Sequence, residues 1–225
     1  MTLAEALAEL AAAGDPGRAT GAAAYHKAPR EYLGIPVPEI TEMTRRWRTE
    51  LTLDERIALA AGLWDSDIHE AKVAAAKLIT QARIRPDEGV WRLIASWAPG
   101  FDGWAVADHA CDAGGRRLVA DPTRIDAVEG WTRHPNMWTR RAALVITLPW
   151  TKLAHPKPED EAIRARVLGW AAGYASDPAW FIQKAVAWWL RDLSKHDPAR
   201  VRAFLAGPGE ALKPFARKEA AKYLG

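Results

Sequence analysis

The chain has 225 residues, enough for one ordinary domain or a short array of repeats with a buried core. Hydrophobic residues at 49% and charged residues at 26% exclude wholesale disorder, and a net charge of +3 permits a nucleic-acid partner without demanding one. A lone cysteine, Cys111, excludes an internal disulfide or a four-thiolate cluster. The start lacks a signal-peptide pattern and no run of 18 apolar residues occurs, so a soluble, cytoplasmic protein without a membrane partner is expected.

In chain order, Thr52-Leu53-Asp54-Glu55 fits a capping box at a helix start. Residues 67–83 place Ala71, Ala74, Ala75, Leu78, Ile79 and Ala82 on one helical face. Pro99-Gly100 and Gly114-Gly115 predict helix stops, as does Gly207-Pro208-Gly209 near the end. Asp-Pro at 121–122, 177–178 and 197–198 predicts an N-cap followed by proline at the first helical position. Helical spacing recurs over 137–148, 159–175 and 179–194, while no segment shows the alternation of a strand. About a dozen short helices follow. No linker divides them, so one domain spanning 1–225 is expected.

The segments resemble one another. Trp138-Thr139-Arg140-Arg141-Ala142, Phe181-Ile182-Gln183-Lys184-Ala185 and Phe215-Ala216-Arg217-Lys218-Glu219 each open with an aromatic residue and carry a polar or basic pair soon after. With Glu70 and Trp104 added, the ladder runs 70, 104, 138, 181 and 215, in steps of 34, 34, 43 and 34. A recurring two-helix unit of this size predicts an all-α solenoid. The tetratricopeptide pattern is missing and one step is irregular, so HEAT-like pairs fit better. Equivalent positions in a solenoid line up, which would gather Trp104, Trp138, Arg140, Arg141, Lys184, Arg217 and Lys218 along a concave groove. Basic and aromatic residues together suit a polyanion carrying flat bases. The alternative, that the cations merely solvate an exposed face while tryptophans fill gaps between helices, stays open on composition alone. The remaining tryptophans (Trp47, Trp64, Trp91, Trp97, Trp131, Trp150, Trp170, Trp180 and Trp189) are expected in the core.

Three runs carry the chemistry. Trp104 and Asp108 lie four apart and share a helix face, Arg141 sits in Trp138-Thr139-Arg140-Arg141-Ala142-Ala143, and Trp188 follows Lys184 by one turn. Together with Leu33-Gly34-Ile35, Leu63-Trp64-Asp65 and Arg217-Lys218-Glu219-Ala220, these runs resemble the bacterial DNA alkylation repair glycosylases of the AlkD type, built from HEAT-like repeats. The resemblance covers nearly the whole chain from about Tyr25, and Phe181-Ile182-Gln183-Lys184-Ala185 is its most specific match. It implies excision of cationic N3- and N7-alkylated purines from duplex DNA, leaving an abasic site. It assigns Asp108 as the catalytic carboxylate, Trp104 and Trp188 as cleft tryptophans and Arg141 as the functional arginine. Ala105 departs from the polar residue that often follows the first cleft tryptophan.

Physical chemistry supports those roles. Breaking an N-glycosidic bond leaves positive character on the sugar, which a nearby carboxylate stabilises while orienting a water for C1′. Indole faces attract the cationic base and sugar, and Arg141 would hold the adjacent phosphate. Arg140, Lys184, Arg191, Arg217 and Lys218 would follow the backbone, giving salt-dependent affinity. The six histidines form no metal-ligand set, no phosphate-binding loop occurs, and no nucleophilic lysine is identified. A monomeric, monofunctional glycosylase without cofactor or metal is therefore expected. A non-catalytic module for damaged or branched DNA and a protein-binding scaffold are the two rivals.

Overall fold

The computed structural model describes all residues, Met1–Gly225, as thirteen α-helices joined by short turns, some of them 3-10. They are α1 Leu3–Ala12, α2 Pro16–His26, α3 Val37–Glu50, α4 Leu53–Asp65, α5 His69–Ile79, α6 Glu88–Trp97, α7 Trp104–Ala120, α8 Ile125–Trp131, α9 Met137–Val145, α10 Pro158–Gly173, α11 Trp180–Leu193, α12 Pro198–Leu205 and α13 Pro214–Ala220. The all-α expectation holds, and the lone β-type pairing is an isolated bridge between Glu31 and Ile68. No helix is long and apolar enough to cross a membrane. The ladder positions have a structural meaning. Glu70, Trp104, Trp138, Phe181 and Phe215 each occupy the first or second residue of α5, α7, α9, α11 and α13, every other helix of that stretch.

By density of contacts the chain forms two units, Met1–Arg117 and Leu118–Gly225. In the first, the start of α4 is capped as expected. The Thr52 hydroxyl accepts from the Glu55 amide at 3.3 Å, and the Glu55 carboxylate accepts from the Thr52 amide at 2.8 Å. The same box, Thr2 with Glu5, opens α1, and Asp15 caps α2 ahead of Pro16. The apolar face of α5 is buried, with Ala71, Ala74, Ala75 and Leu78 at 0% exposure. Trp64 of α4 stacks on Trp97 of α6 at 4.1 Å and 5°. The segment Leu33-Gly34-Ile35 is pinned by the carboxylate of Glu70, which accepts from the amides of Leu33 and Gly34, both at 2.8 Å. Gly34 has φ +78°, and a Cβ there would stand 2.4 Å from the Asp15 carbonyl oxygen.

In the second unit, Gln183 of α11 is fully buried. Its amide donates toward the carbonyls of Tyr174 (3.3 Å), Ala175 (2.8 Å) and Asp177 (3.0 Å), and its oxygen accepts from the Lys213 amide at 3.0 Å. One side chain thus ties the end of α10 to the start of α13.

Two punctuation signals fail. Gly114-Gly115 does not stop a helix: α7 runs through both, and both are buried. Each glycine costs about 1 kcal/mol relative to alanine in a helix, an amount that the burial of neighbours such as Ala113 and Leu118 outweighs. Asp177-Pro178 does not cap α11. The Asp177 carboxylate accepts from the Ala179 amide at 2.8 Å in a turn, its carbonyl is taken by Gln183, and the helix begins at Trp180. Asp197 does cap α12 as expected, and Asp121 caps a 3-10 turn ahead of α8. Seven of the nine tryptophans expected in the core are buried. Trp131 is half-buried, and Trp180 departs outright at 47% exposed, because it opens α11 on that helix's solvent side.

Candidate functional site

In the first unit, Trp104 is the first residue of α7 and Asp108 follows one turn later on the same face. Both are half-buried, so each keeps a surface for a ligand. The Trp104 indole is held by an aromatic wall that sequence reasoning did not find. Its ring lies 5.3 Å from His26 and 5.8 Å edge-on from Tyr25, both at the C-terminal end of α2. His26 in turn stacks on His69, the first residue of α5, at 4.5 Å, and Tyr32 stacks on His69 at 4.8 Å.

The wall is electrically quiet. Burial, reinforced by His26 and Arg30, pushes His69 down to about 3, and burial likewise holds His26 below the ordinary histidine range. Both rings are therefore neutral at neutral pH and do not repel a cationic ligand beside Trp104. The one cation among them, Arg30, is paired with Asp102. Both histidines also line a cleft of about 340 Å³ with Ile35, Pro36 and Val37. The Glu70 carboxylate there is already committed to Leu33 and Gly34, so the cleft brings no second reactive acid. Ala105 is 7% exposed and packs inward, contributing bulk and no polarity.

In the second unit, α9 carries Arg140 and Arg141. Arg140 is occupied: it donates to the carbonyls of His134 and Pro135, both at 3.1 Å, and pairs with Asp177 at 3.4 Å. Arg141 is 5% exposed. On α11, Trp180, Lys184, Trp188 and Arg191 fall at i, i+4, i+8 and i+11, one stripe of the helix. Adjacent tryptophans divide cleanly. Trp189 is fully buried and donates its indole N–H to Thr147 at 3.2 Å, whereas Trp188 is half-buried. The Trp188 N–H donates to the Asp192 carboxylate at 3.0 Å, which fixes the ring. That i, i+4 pair is visible in the sequence once Trp188 is singled out. Arg191 is paired with Asp192 and Glu219, and Arg217 donates to the Gly209 carbonyl at 2.9 Å. Lys184 and Lys218 are exposed. Of the five cations expected on the backbone, three are thus engaged within the protein and two lysines stand out from it.

No His, Cys, Asp or Glu side chains are grouped to hold a metal ion. Cys111, inside α7, is 3% exposed.

Comparison with known proteins is consistent along the chain. A family described as DNA alkylation repair enzyme matches residues 6–224. Among solved structures, a predicted DNA alkylation repair enzyme from Enterococcus faecalis superposes with a TM-score of 0.78 at 22% identity, covering 94% of this chain and 97% of that one. The AlkD2 protein and the smu.31 protein, both from Streptococcus mutans, each give a TM-score of 0.62 at 19% identity over 84% of this chain, and over 90% and 93% of their own. These likenesses share the helical-repeat fold. No curated protein shares significant sequence similarity with the chain.

Proposed function

The chain belongs to the DNA alkylation repair enzyme family, and on that footing we propose that it is a monofunctional DNA glycosylase acting on cationic N3- and N7-alkylated purines in duplex DNA. The observation that carries this reading is the half-buried Trp104 one turn before Asp108, set against uncharged rings. The scissile bond joins C1′ to the base nitrogen. As it breaks, its electron pair leaves with the alkylated purine, which departs neutral, and positive charge builds on the sugar. The Asp108 carboxylate stabilises that charge, orients a water for C1′ and receives the proton as the hydroxyl adds. The product is an abasic site with the strand intact.

Because the base is cationic before it leaves, little general-acid help is needed, and none of the nearby rings has to supply it. The Trp104 face adds about 0.5–2 kcal/mol of attraction for the charged base and sugar, and the Trp188 face on α11 offers an attraction of the same kind. Arg141 holds a phosphate, and Lys184 and Lys218 grip the strand in a salt-dependent way.

The test is release of 7-methylguanine or 3-methyladenine from methylated duplex DNA, with Asp108→Asn beside the parent protein. Release by the parent and a drop of orders of magnitude in the variant are expected. Tight binding of the duplex with no base release by the parent would assign the protein to non-catalytic DNA recognition.

A further inference from the structure

We propose that Trp180 and Lys184 form a prearranged contact for the sugar–phosphate strand flanking the lesion, with Trp180 as the positioning residue. The inference rests on the DNA-repair reading above and adds a residue that reading does not use. Trp180 is the most exposed of the large apolar side chains on α11, at 47%. Its ring is fixed from two directions, edge-on to Phe181 at 4.9 Å and stacked near Phe215 at 5.8 Å. The Lys184 ammonium lies over the indole, 4.6 Å from the ring centre. That ammonium has neither an ion pair nor a hydrogen bond, and the first turn of α11 carries no acidic residue. The nearest acid before the helix, Asp177, is taken by Arg140.

A lysine is ordinarily a mobile, strongly hydrated point charge. Here the indole holds it in one place without neutralising it, as Asp177 does Arg140 and Glu219 does Arg191. The charge stays available to an anion, and the exposed apolar surface of the indole beside it suits a deoxyribose. This pairing of apolar surface and cation matches a nucleic-acid strand better than an acidic peptide, which offers no flat sugar next to each charge. Register sets where the contact falls. Trp180 and Trp188 share one face eight residues apart, about 12 Å along the axis at 1.5 Å per residue. That span equals about three to four base-pair steps.

The experiment measures affinity of the full-length protein for a duplex bearing a stable abasic-site analogue, by fluorescence anisotropy between 50 and 200 mM salt, as about the range where phosphate contacts are read. Lys184→Ala should flatten the slope of log affinity against log salt by about 0.9. Trp180→Ala should weaken binding about 5- to 10-fold, and Trp180→Phe should recover most of that loss. The double variant Trp180→Ala/Lys184→Ala should lose clearly less than the product of the two single losses, since part of the ring's effect acts through the lysine. Trp180→Ala binding like the parent, or losses that multiply in the double variant, would overturn the proposal. The base-release assay on the parent protein reads the underlying glycosylase claim separately. A parent protein that releases base while Trp180→Ala leaves affinity untouched sinks this inference alone.

Discussion

Replacing Gln183 by methionine keeps the length and straight shape of the side chain and removes every polar atom. The parent amide is 0% exposed and serves three carbonyls and one backbone N–H, so no water can take over inside the gap. Two N–H bonds and one accepted bond disappear. Leaving three buried groups unpaired costs about 1–1.3 kcal/mol each, or about 3–4 kcal/mol in all. For a chain of this size that corresponds to a fall in Tm of about 6–15 °C. Gln183→Glu is the sharper control: it still accepts from the Lys213 amide but turns a carboxylate toward three carbonyl oxygens, and should be at least as damaging. Thermal unfolding followed by far-UV circular dichroism reads both. If both variants melt within 2 °C of the parent, the argument that this side chain ties α10 to α13 fails.

Acid should weaken the fold well above the carboxylate range. His69 and His109 sit at about 3 and about 4 in the folded chain, each lowered chiefly by burial, against about 6.5 unfolded. The unfolded chain therefore binds more protons as pH falls below 6.5, and going from pH 7 to 5 costs about 2 kcal/mol per histidine. Urea midpoints across that range check it, and a flat profile refutes it. Gly34→Ala must relieve a Cβ placed 2.4 Å from a backbone oxygen at φ +78°, and should lose at least about 2 kcal/mol by the same unfolding measurement. Asp192→Ala frees the Trp188 ring and should slow base release about 5- to 10-fold, the equivalent of one hydrogen bond, while Asp192→Asn, which still accepts, should stay near the parent. Equal rates for the two Asp192 variants would exclude ring fixation.

What the sequence made legible was local chemistry repeated at a period. The Thr52 capping box, the Asp197 cap and the ladder from Glu70 to Phe215 all depend on neighbours within one helical turn, and all fall at helix starts. Gly114-Gly115 misled because a glycine pair is only a weak local stop, and tertiary burial overrides it. Asp177-Pro178 misled because its acceptors were wanted elsewhere, by Ala179, Arg140 and Gln183. Gln183 itself explains why Phe181-Ile182-Gln183-Lys184-Ala185 is so distinctive: the glutamine holds backbone, and Lys184 alone of that run is exposed. The ring wall behind Trp104 was invisible for a different reason. Tyr25, His26, Tyr32 and His69 come from three separate stretches of chain, and no spacing rule joins them to residue 104.

The position of the one sulfhydryl has its own consequence. Methylating agents that damage purines attack soft sulfur nucleophiles too, and an accessible thiolate is the first protein group they consume. Cys111 lies within α7, three residues beyond Asp108, yet only 3% of it meets solvent. In this member of the DNA alkylation repair enzyme family, the one thiol thus lies out of the reach of such electrophiles.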